Sequence, residues 1–68
     1  MTDTHTFQVQ GMHCEHCVAS VTEEVQEIPG VAAVDVSLAT GALTVTSEGD
    51  LDDGAVRAAV EEAGYQLA

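Results

Sequence analysis

The chain has no lysine and no tryptophan, one arginine (Arg57), one proline (Pro29), and only Phe7 and Tyr65 among the large aromatics. Each shortage excludes something. Twelve acidic residues against one basic residue give a formal net charge of −11, which a nucleic-acid backbone or an anionic membrane surface would repel. No nucleic-acid partner is therefore expected. Nothing approaches the run of about 20 apolar residues that crosses a bilayer, so no membrane insertion is expected either. The opening Met-Thr-Asp-Thr-His-Thr lacks the basic start and apolar stretch of an export signal. The cytoplasm is the expected compartment, and there thiols stay reduced. With so few aromatics, the core must come from valine, leucine, isoleucine and alanine. Sixty-eight residues predict one domain, 1–68, with a thin core. An initiating Met1 at this length is expected of a free-standing protein more than of a detached module. The acidic coat itself fits solubility, a salty cytosol or docking on a basic protein surface.

Hydrophobic periodicity sets the order of elements. From Thr4 to Val9, Phe7 and Val9 alternate with Thr6 and Gln8, a half-buried strand ended by Gly11. From about Cys14 to Ile28 the period lengthens: Val18, Val21, Val25 and Ile28 share one helical face, while Glu23, Glu24 and Glu27 fall elsewhere. Pro29-Gly30 stops that helix. Val34, Val36 and Leu38 alternate as a second strand, and Leu43 and Val45 as a third. The Gly41 connection between them suits a hairpin. Asp52 or Asp53 is placed to cap a second helix with the stripe Val56, Ala59, Val60 and Ala63, which ends at Gly64. Tyr65-Gln66-Leu67-Ala68 reads as a short last strand. The βαββαβ order predicts an α+β, ferredoxin-like sandwich: a four-stranded antiparallel sheet with two helices on one face.

Demanding chemistry has one address, Gly11-Met12-His13-Cys14-Glu15-His16-Cys17. It falls where the first strand passes into the first helix, with Cys17 about one turn in. Unpaired N–H groups at a helix start favour the thiolate, which is the form that binds metal. A disulfide closing so short a loop would constrain little of the unfolded chain, so a structural staple is a poor account of the pair. Zinc asks for about four ligands. Two soft thiolates suit Cu(I), and the vacant side of such a site admits an incoming thiolate, so the ion can move by ligand exchange. A thiol redox motif also places CxxC at a helix start and remains the competing reading.

The same seven residues resemble the GMxCxxC signature of heavy-metal-associated domains, a family of copper chaperones and of N-terminal modules in copper-transporting P-type ATPases. Pro29-Gly30-Val31, the Val34-to-Leu38 strand and Glu62-Ala63-Gly64-Tyr65 extend the likeness over essentially the whole chain. The resemblance implies that Cys14 and Cys17 are Cu(I) ligands and that Met12 packs under the loop. It also implies that Tyr65 faces the metal and shields the thiolates from water. A cytoplasmic copper chaperone with no enzyme activity is the expectation. Its expected partner is the metal-binding domain of a copper-transporting P-type ATPase, and a copper-bridged homodimer is the other association in view. A Zn(II)- or Hg(II)-binding member of the same family is the alternative metal reading. His13 and His16 flank the thiols, as exposed residues or as a third ligand. Glu15, Glu61 and Glu62 are the acidic residues best placed to meet a partner. His5, near the N-terminus, is expected to do nothing.

Overall fold

The computed structural model describes residues 2–68. Its elements follow the expected order: β1 (Asp3–Gln10), α1 (Glu15–Gln26), β2 (Val31–Val36), β3 (Ala42–Ser47), α2 (Asp53–Glu62) and β4 (Gln66–Leu67). The strands lie in the order β2-β3-β1-β4, and every neighbouring pair is antiparallel. The fold is the ferredoxin-like sandwich. Each helix returns the chain across one intervening strand, β3 in the first crossover and β1 in the second.

Alternation along the strands decides which side the helices cover. In β1 the residues Asp3, His5, Phe7 and Val9 turn inward while Thr4, Thr6, Gln8 and Gln10 stay exposed. In β3 the inward residues are Leu43, Val45 and Ser47. Val9, Leu43 and Val45 meet Val21 and Val25 of α1 and Val56, Ala59 and Val60 of α2 in one apolar cluster. Such a cluster of small aliphatic side chains is what a chain without tryptophan can build. On the uncovered face, threonines pair across the ladder: Thr4 with Thr46 at 3.3 Å between hydroxyl oxygens, and Thr6 with Thr44 at 3.5 Å.

The helix expected to reach Ile28 ends at Gln26, the last strand covers only Gln66–Leu67 of the expected Tyr65–Ala68, and both ends of β2 differ from the periodic reading. The second strand begins at Val31, not Val34, because Gly30 turns the chain at φ +89° and Val31 at once pairs with Ser47. A register irregularity between Val31 and Ala33 hides this start from a simple alternation. The strand also stops at Val36. Leu38, in phase with the strand, sits in the turn and is 38% exposed. The first helix runs Glu15–Gln26, with Cys14 in extended conformation (φ −155°, ψ 170°) at its N-cap.

The β2–β3 turn depends on Gly41. Its φ is +75°, its N–H donates to the Ser37 carbonyl at 2.7 Å, and its carbonyl accepts from the Val9 N–H at 2.9 Å. A Cβ there would lie 2.8 Å from the Val9 carbonyl oxygen and 2.6 Å from Gln8 Nε2, so the turn can press on β1 only without a side chain.

The register of the outer pair positions everything that follows. Gln10 faces Gln66 and Val9 faces Leu67. The loop leaving β1 and the turn entering β4 therefore emerge side by side at one end of the sheet.

Burial separates two leucines that periodicity treats alike. Leu43 is fully buried and Leu38 is not. In urea denaturation, Leu43→Ala should cost about 2–5 kcal/mol, whereas Leu38→Ala should stay within about 0.5 kcal/mol of the parent.

Candidate metal centre

Gly11, at φ +93°, turns the chain out of β1 and into the cysteine loop. Met12 then points back and packs against the core cluster, so the loop is pinned from beneath by an apolar side chain. Cys14 occupies the N-cap of α1, where a serine or aspartate would normally cap the helix with its own side chain. Its sulfur makes no such bond and stays available. The Cys14 carbonyl instead closes the first turn, accepting from the N–H groups of Cys17 at 3.1 Å and Val18 at 3.4 Å.

That turn brings the sulfurs together. Cys14 Sγ and Cys17 Sγ stand 3.2 Å apart and are not bonded as a disulfide. Cys14 is exposed and Cys17 half-buried. The pair therefore opens to solvent on one side and rests on protein on the other.

Tyr65 completes the site from the other crossover. The antiparallel pairing of β1 with β4 sets its ring beside Gly11, where an added Cβ would lie 3.5 Å from Tyr65 Cδ1. The Cys17 thiol is lowered from its ordinary value of 9.0 to about 6. The leading cause is a side-chain hydrogen bond from the Tyr65 phenol, followed by the backbone of His13 and the side chain of Cys14. The reciprocal effect holds the Tyr65 hydroxyl above its ordinary value, first because its proton is engaged by Cys17 and then through burial and the negative charge of the thiolates. Sequence reasoning expected the helix start alone to favour the thiolate. The direction agrees, but the largest contribution comes from a residue 48 positions away in the chain.

The two histidines of the loop are exposed, and among the described residues no group of three His, Cys, Asp or Glu converges as a metal cage. Glu15, Glu61 and Glu62 are exposed as well. Also among the described residues, no helix is long and apolar enough to cross a membrane. His5, expected to be idle, instead stands between two carboxylates at the far end of the sheet. Its partner Asp53 lies 48 residues on, a proximity that no local pattern reveals.

A depressed thiol couples folding to pH. Between about 6 and 9.0 the folded chain binds fewer protons at Cys17 than the unfolded chain does, so this group's contribution to stability grows with pH across that window. It is complete above the unfolded value and lost as pH falls through the folded one. Ultraviolet thiolate titration should find one thiol ionising near pH 6, and Tyr65→Phe should move that midpoint upward. An unmoved midpoint would show that the phenol does not act on the sulfur.

Comparison with known proteins places this geometry. The model of the family described as "Heavy-metal-associated domain" matches residues 6–66. The copper chaperone CopZ of Bacillus subtilis is 41% identical over 64 residues, covering 93% of each chain. A segment of copper-transporting ATPase 2 of Rhizobium meliloti is 44% identical over 59 residues, 87% of this chain but only 7% of that protein's length. Among solved structures, one described as "CopZ metallochaperone" superposes with a TM-score of 0.91 at 28% identity, covering 97% of this chain and all of the other. With nine-tenths of its length matched, strand to strand and across the cysteine loop, the chain belongs to the heavy-metal-associated domain family.

Proposed function

We propose that residues 1–68 act as one heavy-metal-associated unit that carries Cu(I) as cargo, held between Cys14 and Cys17, and hands it on by thiolate exchange. The observation that carries this reading is the pair of free sulfurs 3.2 Å apart at an open loop. Soft sulfur donors select soft metals. A two-sulfur site leaves one side of the ion open, and the exposure of Cys14 puts that side toward solvent. An incoming thiolate can bind there before a resident one departs, so the ion is never released as a free species. The half-buried Cys17 remains in place while the exposed Cys14 exchanges.

The receiving protein is a metal-binding domain of a copper-transporting P-type ATPase, in the cytoplasm. The likeness to CopZ and to a segment of a copper-transporting ATPase supports this pairing, since donor and acceptor of the same family would present the same sulfur geometry to the ion. A copper-bridged pair of copies uses the same exchange chemistry and is the expected side product when no acceptor is present. No catalytic step is required of the protein.

Under reducing conditions, the parent should take up one Cu(I) per chain against a competing Cu(I) chelator, and the double variant Cys14→Ser/Cys17→Ser should lose that uptake. His13→Ala/His16→Ala should hold its Cu(I) affinity within about threefold, well under the tenfold that 1.4 kcal/mol represents. A large loss in the histidine variant would mean a three-ligand site and reopen the Zn(II) or Hg(II) reading. Catalytic reduction of insulin with feeble copper retention would assign the pair to thiol redox chemistry instead.

A further inference from the structure

His5 lies on the inward face of β1, at the end of the sheet opposite the cysteine loop, since β1 runs away from His5 toward Gln10. Both of its ring nitrogens meet a carboxylate. Nδ1 is 2.6 Å from Asp53 Oδ1, on the first turn of α2, and Nε2 is 2.9 Å from Asp3 Oδ2, on its own strand. A neutral imidazole has one N–H and one lone pair, so it can donate to only one of these partners. The other contact would then set a lone pair against a carboxylate. Two short contacts to two carboxylates are satisfied together only by the imidazolium.

The same carboxylate also reaches the loop between β3 and α2. Asp3 Oδ2 accepts from the Leu51 N–H at 3.4 Å, and Asp3 is the ladder partner of the buried Ser47, whose hydroxyl donates to the Gly49 carbonyl at 2.5 Å. Asp3 thereby joins the start of β1, the end of β3 and the loop into α2. His5 adds the helix itself through Asp53.

We propose that Asp3, His5 and Asp53 form a proton-operated clasp that ties the start of β1 to the start of α2, closed while the ring carries both protons and missing one jaw when it carries one. The other groups beside it do not compete. The β3 residue in register with His5 is the apolar Val45, the nearest ring on its own strand is Phe7 at 6.2 Å between centroids, and Asp52 is engaged in capping the Gly54 N–H at 2.9 Å. The other charged groups of these elements are Glu48, Asp50 and Asp52 on the loop and Arg57, Glu61 and Glu62 on the helix. The net field from these elements is negative and favours the closed form. His5 is accordingly raised above 6.5, first by the hydrogen bond to Asp53 and further by Asp3.

The sign of the linkage follows from that direction. The clasp contributes fully below the unfolded histidine value and is lost as pH rises through the folded one, which is opposite to the contribution of Cys17. Stability of this small domain is thus supported at one end by a bound proton and at the other by a lost one.

The test uses the full chain, with metal absent and thiols reduced. Histidine Cε1–H resonances are assigned and titrated by NMR, and urea stability is followed against pH for the parent and for His5→Gln. Because both proteins keep Cys17, the difference between the two stability curves isolates His5. The clasp requires a His5 midpoint above 6.5, a lower midpoint in Asp53→Asn and in Asp3→Asn, and a parent-minus-variant difference that shrinks as pH rises through that midpoint. A midpoint at or below 6.5, or one that neither asparagine variant moves, overturns it. So does a stability difference that does not vary with pH. The NMR midpoints decide the matter even where His5→Gln folds poorly.

Discussion

A thiolate at the surface of a protein with no lysine has to be stabilised by something other than a neighbouring ammonium group. Here the opposing partial charges come from dipoles: the Tyr65 phenol and the loop backbone around His13 and Cys14. Hydrogen bonds of this kind stabilise a sulfur anion without placing a full positive charge at the site. They also leave the open side of the sulfur pair free of a bulky cationic chain. The single arginine, Arg57, is an exposed residue of α2 and plays no part in lowering Cys17.

The sheet exists, from the site's point of view, to bring Tyr65 and the cysteine loop together. Pairing of Gln10 with Gln66 fixes where β1 and β4 begin and end relative to one another. A slip of one residue would turn Leu67 from the core to solvent and carry Tyr65 away from Gly11. The apolar cluster therefore holds the site in register through side chains that never touch it. Met12 and Tyr65 are direct links, since both belong to the site and to the core margin.

The acidic composition has a structural aspect beyond solubility. At the end remote from the thiols, Asp3 and Asp53 are not merely solvated; they bracket a histidine. Asp52 caps the same helix through the Gly54 N–H. Carboxylates at a helix N-terminus suit its positive end, so several of the negative charges are placed where the backbone already favours them. Glu23 of α1 and Glu27, just past its end, face water, whereas Glu24 is half-buried.

Local sequence was enough to determine the six elements and their order, the inward faces of β1, β3 and both helices, and the thiol pair at a helix start. Each of these rests on spacing of two, three or four residues, which the backbone periods convert directly into a shared face. Cys14 and Cys17 are legible for the same reason: one helical turn is all that separates them. The start of β2 was hidden because a bulge breaks its alternation, and Leu38 was misplaced because periodicity continues after pairing has ended. Tyr65 at the thiols was implied only by the family resemblance, and tertiary structure made it the leading influence on Cys17. The meeting of His5 with Asp53 was decided by tertiary structure alone. Both contacts join residues 48 apart, and such distances close only when β4 and α2 have packed against the first strand.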